Sequence, residues 1–134
     1  MKISLDTNVW IFGLFNIDPY CRTIILKLTT LDVVVPNQIR AELERNLPEP
    51  AMKTFYRLAG EAGVRFDFAS VPADYLAMFE AKGLKKGDAV IGAYCEWQKV
   101  ETIVSDNRDF LRGLAAGYSF KVMSPQAFCE ALGL

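Results

Sequence analysis

A handful of carboxylates stand where chemistry could use them. Asp6 follows the short apolar run Lys2-Ile3-Ser4-Leu5, Glu42 and Glu44 lie in one helix-like stretch, Asp88 opens another, and Asp106 and Asp109 flank Asn107 after Thr102-Ile103-Val104. Carboxylates gathered in one pocket repel one another and raise one another's pKa unless a divalent cation neutralises them. Oxygen-only ligands select hard ions such as Mg²⁺ or Mn²⁺ over zinc. A cation so held can activate water for attack on a phosphodiester. The chain contains no histidine, so His-based triads, His general-base hydrolysis and imidazole zinc ligands are excluded.

Each acid also has an ordinary role. Asp6 suits an N-cap or Asx-turn, and Asp88 suits the first turn of a helix, where the dipole favours negative charge. Neither has Glu or Gln three residues on, because Val9 and Ile91 stand there, so the reciprocal capping box is missing. Glu42 and Glu44 flank the Ile39, Leu43, Leu47 stripe on opposite sides, and periodicity leaves open which of them faces inward. Asp88 shares a helical face with Ile91 and Cys95, which aims it toward the protein. A carboxylate aimed inward needs a partner.

The elements that would carry these residues alternate. Strands are expected at the start of the chain, over Leu31 to Val35, Val64 to Phe68, Thr102 to Val104 and Phe120 to Met123. Helices are expected over Asn8 to Phe15, Pro19 to Leu28, Pro36 to Leu47, Ala51 to Glu61, Pro72 to Ala81, Asp88 to Lys99 and Asn107 to Leu114. A closing helix is capped by Ser124, with Pro125 in its first position. Pro48 and Pro50 are expected to stop the third helix, and Gly83 to Gly87, with Lys85 and Lys86, to form a loop. Short strands spaced by helices predict a three-layer α/β/α fold with a central, mainly parallel sheet. In such sheets ligands bind at the strands' carboxyl ends, where Asp6 and the Asp106 to Asp109 turn fall.

A length of 134 residues with 51% hydrophobic and 23% charged residues predicts one globular domain spanning 1–134. Cys21, Cys95 and Cys129 are odd in number and far apart, suggesting neither disulfides nor a zinc site and fitting a reduced, cytoplasmic setting. The apolar Val9 to Phe15 run is too short to span a bilayer. A net charge of −1 supplies no global field for nucleic acid, so local patches would have to hold it.

Four stretches together resemble the PIN domain. These are Leu5-Asp6-Thr7-Asn8-Val9, Pro36 through Arg45, Gly87-Asp88-Ala89-Val90-Ile91, and Val104-Ser105-Asp106-Asn107-Arg108-Asp109-Phe110. Their order and spacing are similar to those of the VapC-type toxin ribonucleases, over essentially the whole chain. The resemblance implies a Mg²⁺- or Mn²⁺-dependent endoribonuclease, the toxin of a type II toxin-antitoxin pair, acting as a homodimer and covered by a cognate antitoxin. By motif position Asp6, Glu42 and Asp88 would be the catalytic, metal-binding acids. Many members carry Asp where this chain has Asn107, so the fourth ligand would be Asp109, with Asp106 or Asn107 as alternatives.

Thr7, Asn8, Ser105 and Asn107 are candidates to orient the acids or hydrogen-bond phosphate. Arg40, Arg45, Lys85, Lys86, Arg108 and Arg112 are candidates for RNA backbone contacts, although such charges are more often simply solvated. Trp10, Phe12 and Phe15 are expected in core or dimer packing rather than base stacking. Two rivals remain: a non-catalytic PIN-like module binding RNA or protein, and a phosphate-handling domain of the receiver or haloacid-phosphatase kind. The second sits poorly with Thr7 and Asn8 after Asp6, where a further Asp two places on is expected.

Overall fold

A computed structural model describes residues 1–107 and 118–134. In chain order its elements are β1 (Lys2–Leu5), α1 (Thr7–Leu14), α2 (Pro19–Leu26), a 3₁₀ turn (Leu28–Thr30), β2 (Asp32–Pro36), α3 (Asn37–Asn46), α4 (Glu49–Glu61), β3 (Arg65–Asp67), α5 (Ala73–Glu80), α6 (Lys86–Trp97), β4 (Thr102–Val104), β5 (Lys121–Met123) and α7 (Pro125–Leu132).

The five strands pair in the order β3-β2-β1-β4-β5, all parallel. Parallel strands need helical crossovers, so the sheet is covered on both faces and its strands read as apolar runs. Ile3, Leu5, Val33, Val34, Val35, Ile103 and Val104 are accordingly buried. The buried Ser4 satisfies its hydroxyl by donating to the Val34 carbonyl at 3.1 Å. The chain leaves β1 toward β2 and β3, then crosses back to β4 and β5 on the other side. Between the ends of β1 and β4 lies the point where this order reverses, the place where open α/β sheets form a crevice.

Helix α2 packs on both α1 and α7, α5 packs on α6, and α3 touches both α1 and α6. Gly13 permits the α1–α2 approach, since a Cβ there would lie 2.3 Å from Ile25 Cγ1 and 2.7 Å from the Cys21 carbonyl oxygen. Trp10 is fully buried and meets Phe55 edge-on, with centroids 4.9 Å apart. The last helix begins as its sequence predicts: Ser124 Oγ accepts from the Ala127 amide at 3.1 Å, with Pro125 in the first turn.

The three-layer, parallel architecture agrees with expectation, and most boundaries shift by only a residue or two. Pro50 does not lie between helices but in the first turn of α4, which begins at Glu49; proline is tolerated there because its missing N–H would be unpaired anyway. Lys86 and Gly87 belong to α6 rather than to the preceding loop. The helix expected over Asn107 to Leu114 lies, apart from Asn107, outside the described residues. No described helix is long and apolar enough to cross a membrane.

Candidate functional site

Asp6 is the N-cap of α1 at the end of β1, and its amide donates to the Val104 carbonyl at 2.9 Å, which fixes it against the end of β4. Its carboxylate is inside the protein, 6% exposed. Oδ1 accepts from the Thr7 amide at 2.8 Å and Oδ2 from Ser105 Oγ at 2.7 Å. Burial pushes its pKa up to about 6; the two hydrogen bonds pull down against this, and the negative charges of Glu42 and Asp88 add to the rise. The same acid thus caps a helix and occupies a pocket edge, so the capping role and a ligand role are compatible.

Glu42 reaches this site from α3. Its Oε1 accepts from Thr7 Oγ1 at 2.6 Å, the residue beside Asp6, and its Oε2 accepts from Gln38 Nε2 at 2.8 Å. Glu44, one side of the stripe away, is exposed and pairs with Arg40 at 2.8 Å and with the Tyr56 hydroxyl at 2.8 Å. Hydrogen bonds from Tyr56 and then Arg40 hold its carboxyl below the ordinary range. Asp88, in the first turn of α6, is half-buried and accepts from Asn107 Nδ2 at 3.4 Å. Asn107 in turn donates its amide to Ser105 Oγ at 3.1 Å. Gly87 lets α6 come this close: a Cβ there would stand 2.8 Å from Glu42 Oε2.

Hydroxyl and amide groups of Thr7, Ser105 and Asn107 therefore link Asp6, Glu42 and Asp88 around the β1–β4 crevice. Asp106 goes elsewhere. It is exposed and lines a shallow pocket with Asp18, Tyr20 and the Ser124 to Gln126 turn, beside α2 and α7. Asp109, Arg108 and Arg112 lie outside the described residues. Asn8 is exposed; Lys85 and Lys86 are exposed at the start of α6, and Arg45 is exposed in the last turn of α3. Trp10 is in the core, Phe12 packs against it half-buried, and Phe15 is 49% exposed.

Among the described residues no group of three His, Cys, Asp or Glu side chains stands close enough together to hold a metal ion as placed. The kind of donor nevertheless fits a hard divalent cation: carboxylate oxygens only, ringed by hydroxyls and amides, with Asp6 buried beside two like charges that a cation would relieve. Two participants escape sequence reasoning. Gln38 stands four residues before Glu42 on one helical face, a spacing that could have flagged it. The close approach at Gly87 has no local signal, because it depends on how α6 meets α3.

In comparison with solved structures, the chain matches one in the crystal structure of VapBC2 from Rickettsia felis bound to a DNA fragment from their promoter. The TM-score is 0.68 at 15% identity, over 92% of this chain and 98% of that one. The chain has the PIN fold. No protein-family model and no curated protein matches its sequence. In this chain the ends of β1 and β4 lie side by side, bringing Ser105 onto Asp6.

Proposed function

We propose that the chain is a Mg²⁺- or Mn²⁺-dependent endoribonuclease of the VapC type, the toxin of a type II toxin-antitoxin pair. The observation that carries this reading is a buried carboxylate at the sheet's switch point, with Glu42 and Asp88 close enough to raise its pKa. Asp6, Glu42 and Asp88 would hold the cation, with Asp109 as the fourth ligand. Among the alternatives for that place Asn107 lies beside Asp88, whereas Asp106 is turned toward α2 and α7. When bound, the cation would supply activation of water and neutralisation of charge at the phosphodiester.

The chain's own groups do the positioning. Ser105 and the Thr7 amide hold the Asp6 carboxylate, Thr7 Oγ1 and Gln38 hold Glu42, and Asn107 steadies Asp88. Lys85 and Lys86, exposed three and two residues before Asp88, are suited to phosphate oxygens, and Arg40, Arg45 and Arg108 are weaker candidates. Asn8 is exposed at the mouth of α1 and available for a phosphate hydrogen bond. On the VapC-type reading, a cognate antitoxin would cover the acidic crevice, and the toxin would be a cytoplasmic homodimer.

The test compares wild type with Asp6→Asn and Asp88→Asn on structured RNAs, with Mg²⁺, with Mn²⁺ and with chelator. Cleavage should need the cation and fall about 10³-fold or more in each variant. Equal cleavage by all three proteins would assign the activity to other residues. A second reading, a non-catalytic RNA- or protein-binding module, draws on Asn107 standing at an acid's usual place and donating to Asp88. It predicts no cation-dependent cleavage and unchanged binding in Asp6→Asn.

A further inference from the structure

Between the start of α3, the stretch after β3 and the flank of α6 lies a cavity of about 190 Å³. Pro36, Val71, Leu76 and Val90 make its walls apolar, and Gln38 and Tyr94 add polar edges. Tyr94 is 1% exposed, donates its hydroxyl to Asp67 Oδ2 at 2.7 Å, and is kept neutral because burial and then that bond push its phenol well up. Asp67 is itself held, its Oδ1 accepting from the Ala69 amide at 2.9 Å. Gln38 belongs to both places: it lines the cavity and binds Glu42, so the cavity starts where the carboxylate site ends.

The rim is also built. Beside the cavity-lining Asn37 and Ala69 stand Arg40 and Phe68, with the guanidinium carbon 5.3 Å from the ring centroid. Arg40 is held by Asn37 Oδ1 at 2.8 and 3.1 Å and by Glu44 at 2.8 Å, whereas Phe68 is 65% exposed. Glu42 behind Gln38 and Asp67 behind Tyr94 make the cavity a poor place for an anion. Apolar walls with an amide and a phenol at the edge suit a neutral heteroaromatic guest, and an exposed ring backed by a cation suits stacking.

We propose that this cavity receives an unpaired nucleobase of the RNA strand, next to the phosphodiester at the acids, and that Phe68 stacks on the neighbouring base. The proposal rests on the ribonuclease reading for its substrate, and it makes the cavity the place where base preference is set. RNA readers select unpaired bases in this way, by stacking and by edge hydrogen bonds.

The test uses the full chain in chelator, titrated with uridine, cytidine, adenosine, guanosine and ribose while backbone amide resonances are followed. At least one nucleoside should shift the Gln38, Val71, Leu76 and Val90 amides in a saturable way, and ribose should not. Leu76→Trp, which fills the cavity, should abolish those shifts. The exposed Phe68→Ala, whose fold is not at risk, should weaken binding of a dinucleoside about tenfold relative to wild type. With Mn²⁺, both variants should cleave RNA with altered base preference at one position and unchanged Mn²⁺ dependence. Absence of saturable nucleoside shifts, or equal shifts with ribose, overturns the proposal even if cleavage is robust; base-dependent shifts without any cleavage retain the subsite and overturn the ribonuclease reading instead.

Discussion

Glu42 and Glu44 share a helix, a charge and a side-chain length, and differ in what surrounds them. Glu42 turns from α3 toward Asp6 and is clamped by Thr7 and Gln38; Glu44 turns to solvent and joins Arg40 and Tyr56. The first face is half-buried among other acids, and its hydrogen bonds hold like charges near one another. The second resembles the surface ion pairs that contribute little, because water and salt screen them. One helix therefore separates a face that joins the cluster of acids from a face that meets water.

The sharpest way to break this contrast is to neutralise each acid. Glu42→Gln should lower cation-dependent cleavage about 10²- to 10³-fold, whereas Glu44→Gln should stay within about twofold and leave the urea midpoint nearly unchanged. Cleavage rates and urea midpoints of the two variants check both halves. Equal losses would erase the distinction between the faces.

Asp6 supplies the next effect, in stability rather than rate. In the native protein its pKa is raised to about 6 from 3.8, so between these values the folded state keeps a proton that the unfolded chain has released. Metal-free protein should then lose stability as pH rises through this window, by up to about 3 kcal/mol, and level off above it. Asp6→Asn should remove that slope and be the more stable protein at pH 7.5 in chelator. Addition of Mg²⁺ should stabilise wild type and leave Asp6→Asn nearly unmoved. Denaturant titrations at pH 5 and 7.5 decide it.

Gln38→Ala tests the clamp on Glu42 and should weaken cation affinity about tenfold, read by Mn²⁺ titration, with the fold intact. Gly87→Ala should have the smallest effect. Its new Cβ meets the flexible end of Glu42 rather than backbone, so the carboxylate is displaced, activity drops a few-fold, and stability changes by under about 1 kcal/mol.

Much of this was legible locally. Pro19, Ser124 and Pro125 mark helix starts by their own backbone and capping chemistry, and the β-branched Val33 to Val35 run, ended by Pro36, reads as a strand covered on both faces. Asp6 at a strand end was legible for the same reason. Glu42 against Glu44 was not, because both flank one apolar stripe and only the docking of α3 between α1 and α6 breaks the tie. Pro50 opens α4 rather than stopping α3, and a proline that ends one helix looks like a proline that opens the next in sequence.

The order of residue types along the chain determined the alternation of strands and helices, the lack of imidazole chemistry and the supply of carboxylates at strand ends. Those properties follow from neighbours a few residues apart. Tertiary structure alone decided that Ser105 would meet Asp6 across 99 positions, that Glu42 would turn inward, that Asp106 would turn away, and that Gln38 and Tyr94 would border one cavity. The reason is that strand order and crossover direction set which distant segments share an edge of the sheet, and no local periodicity encodes that order.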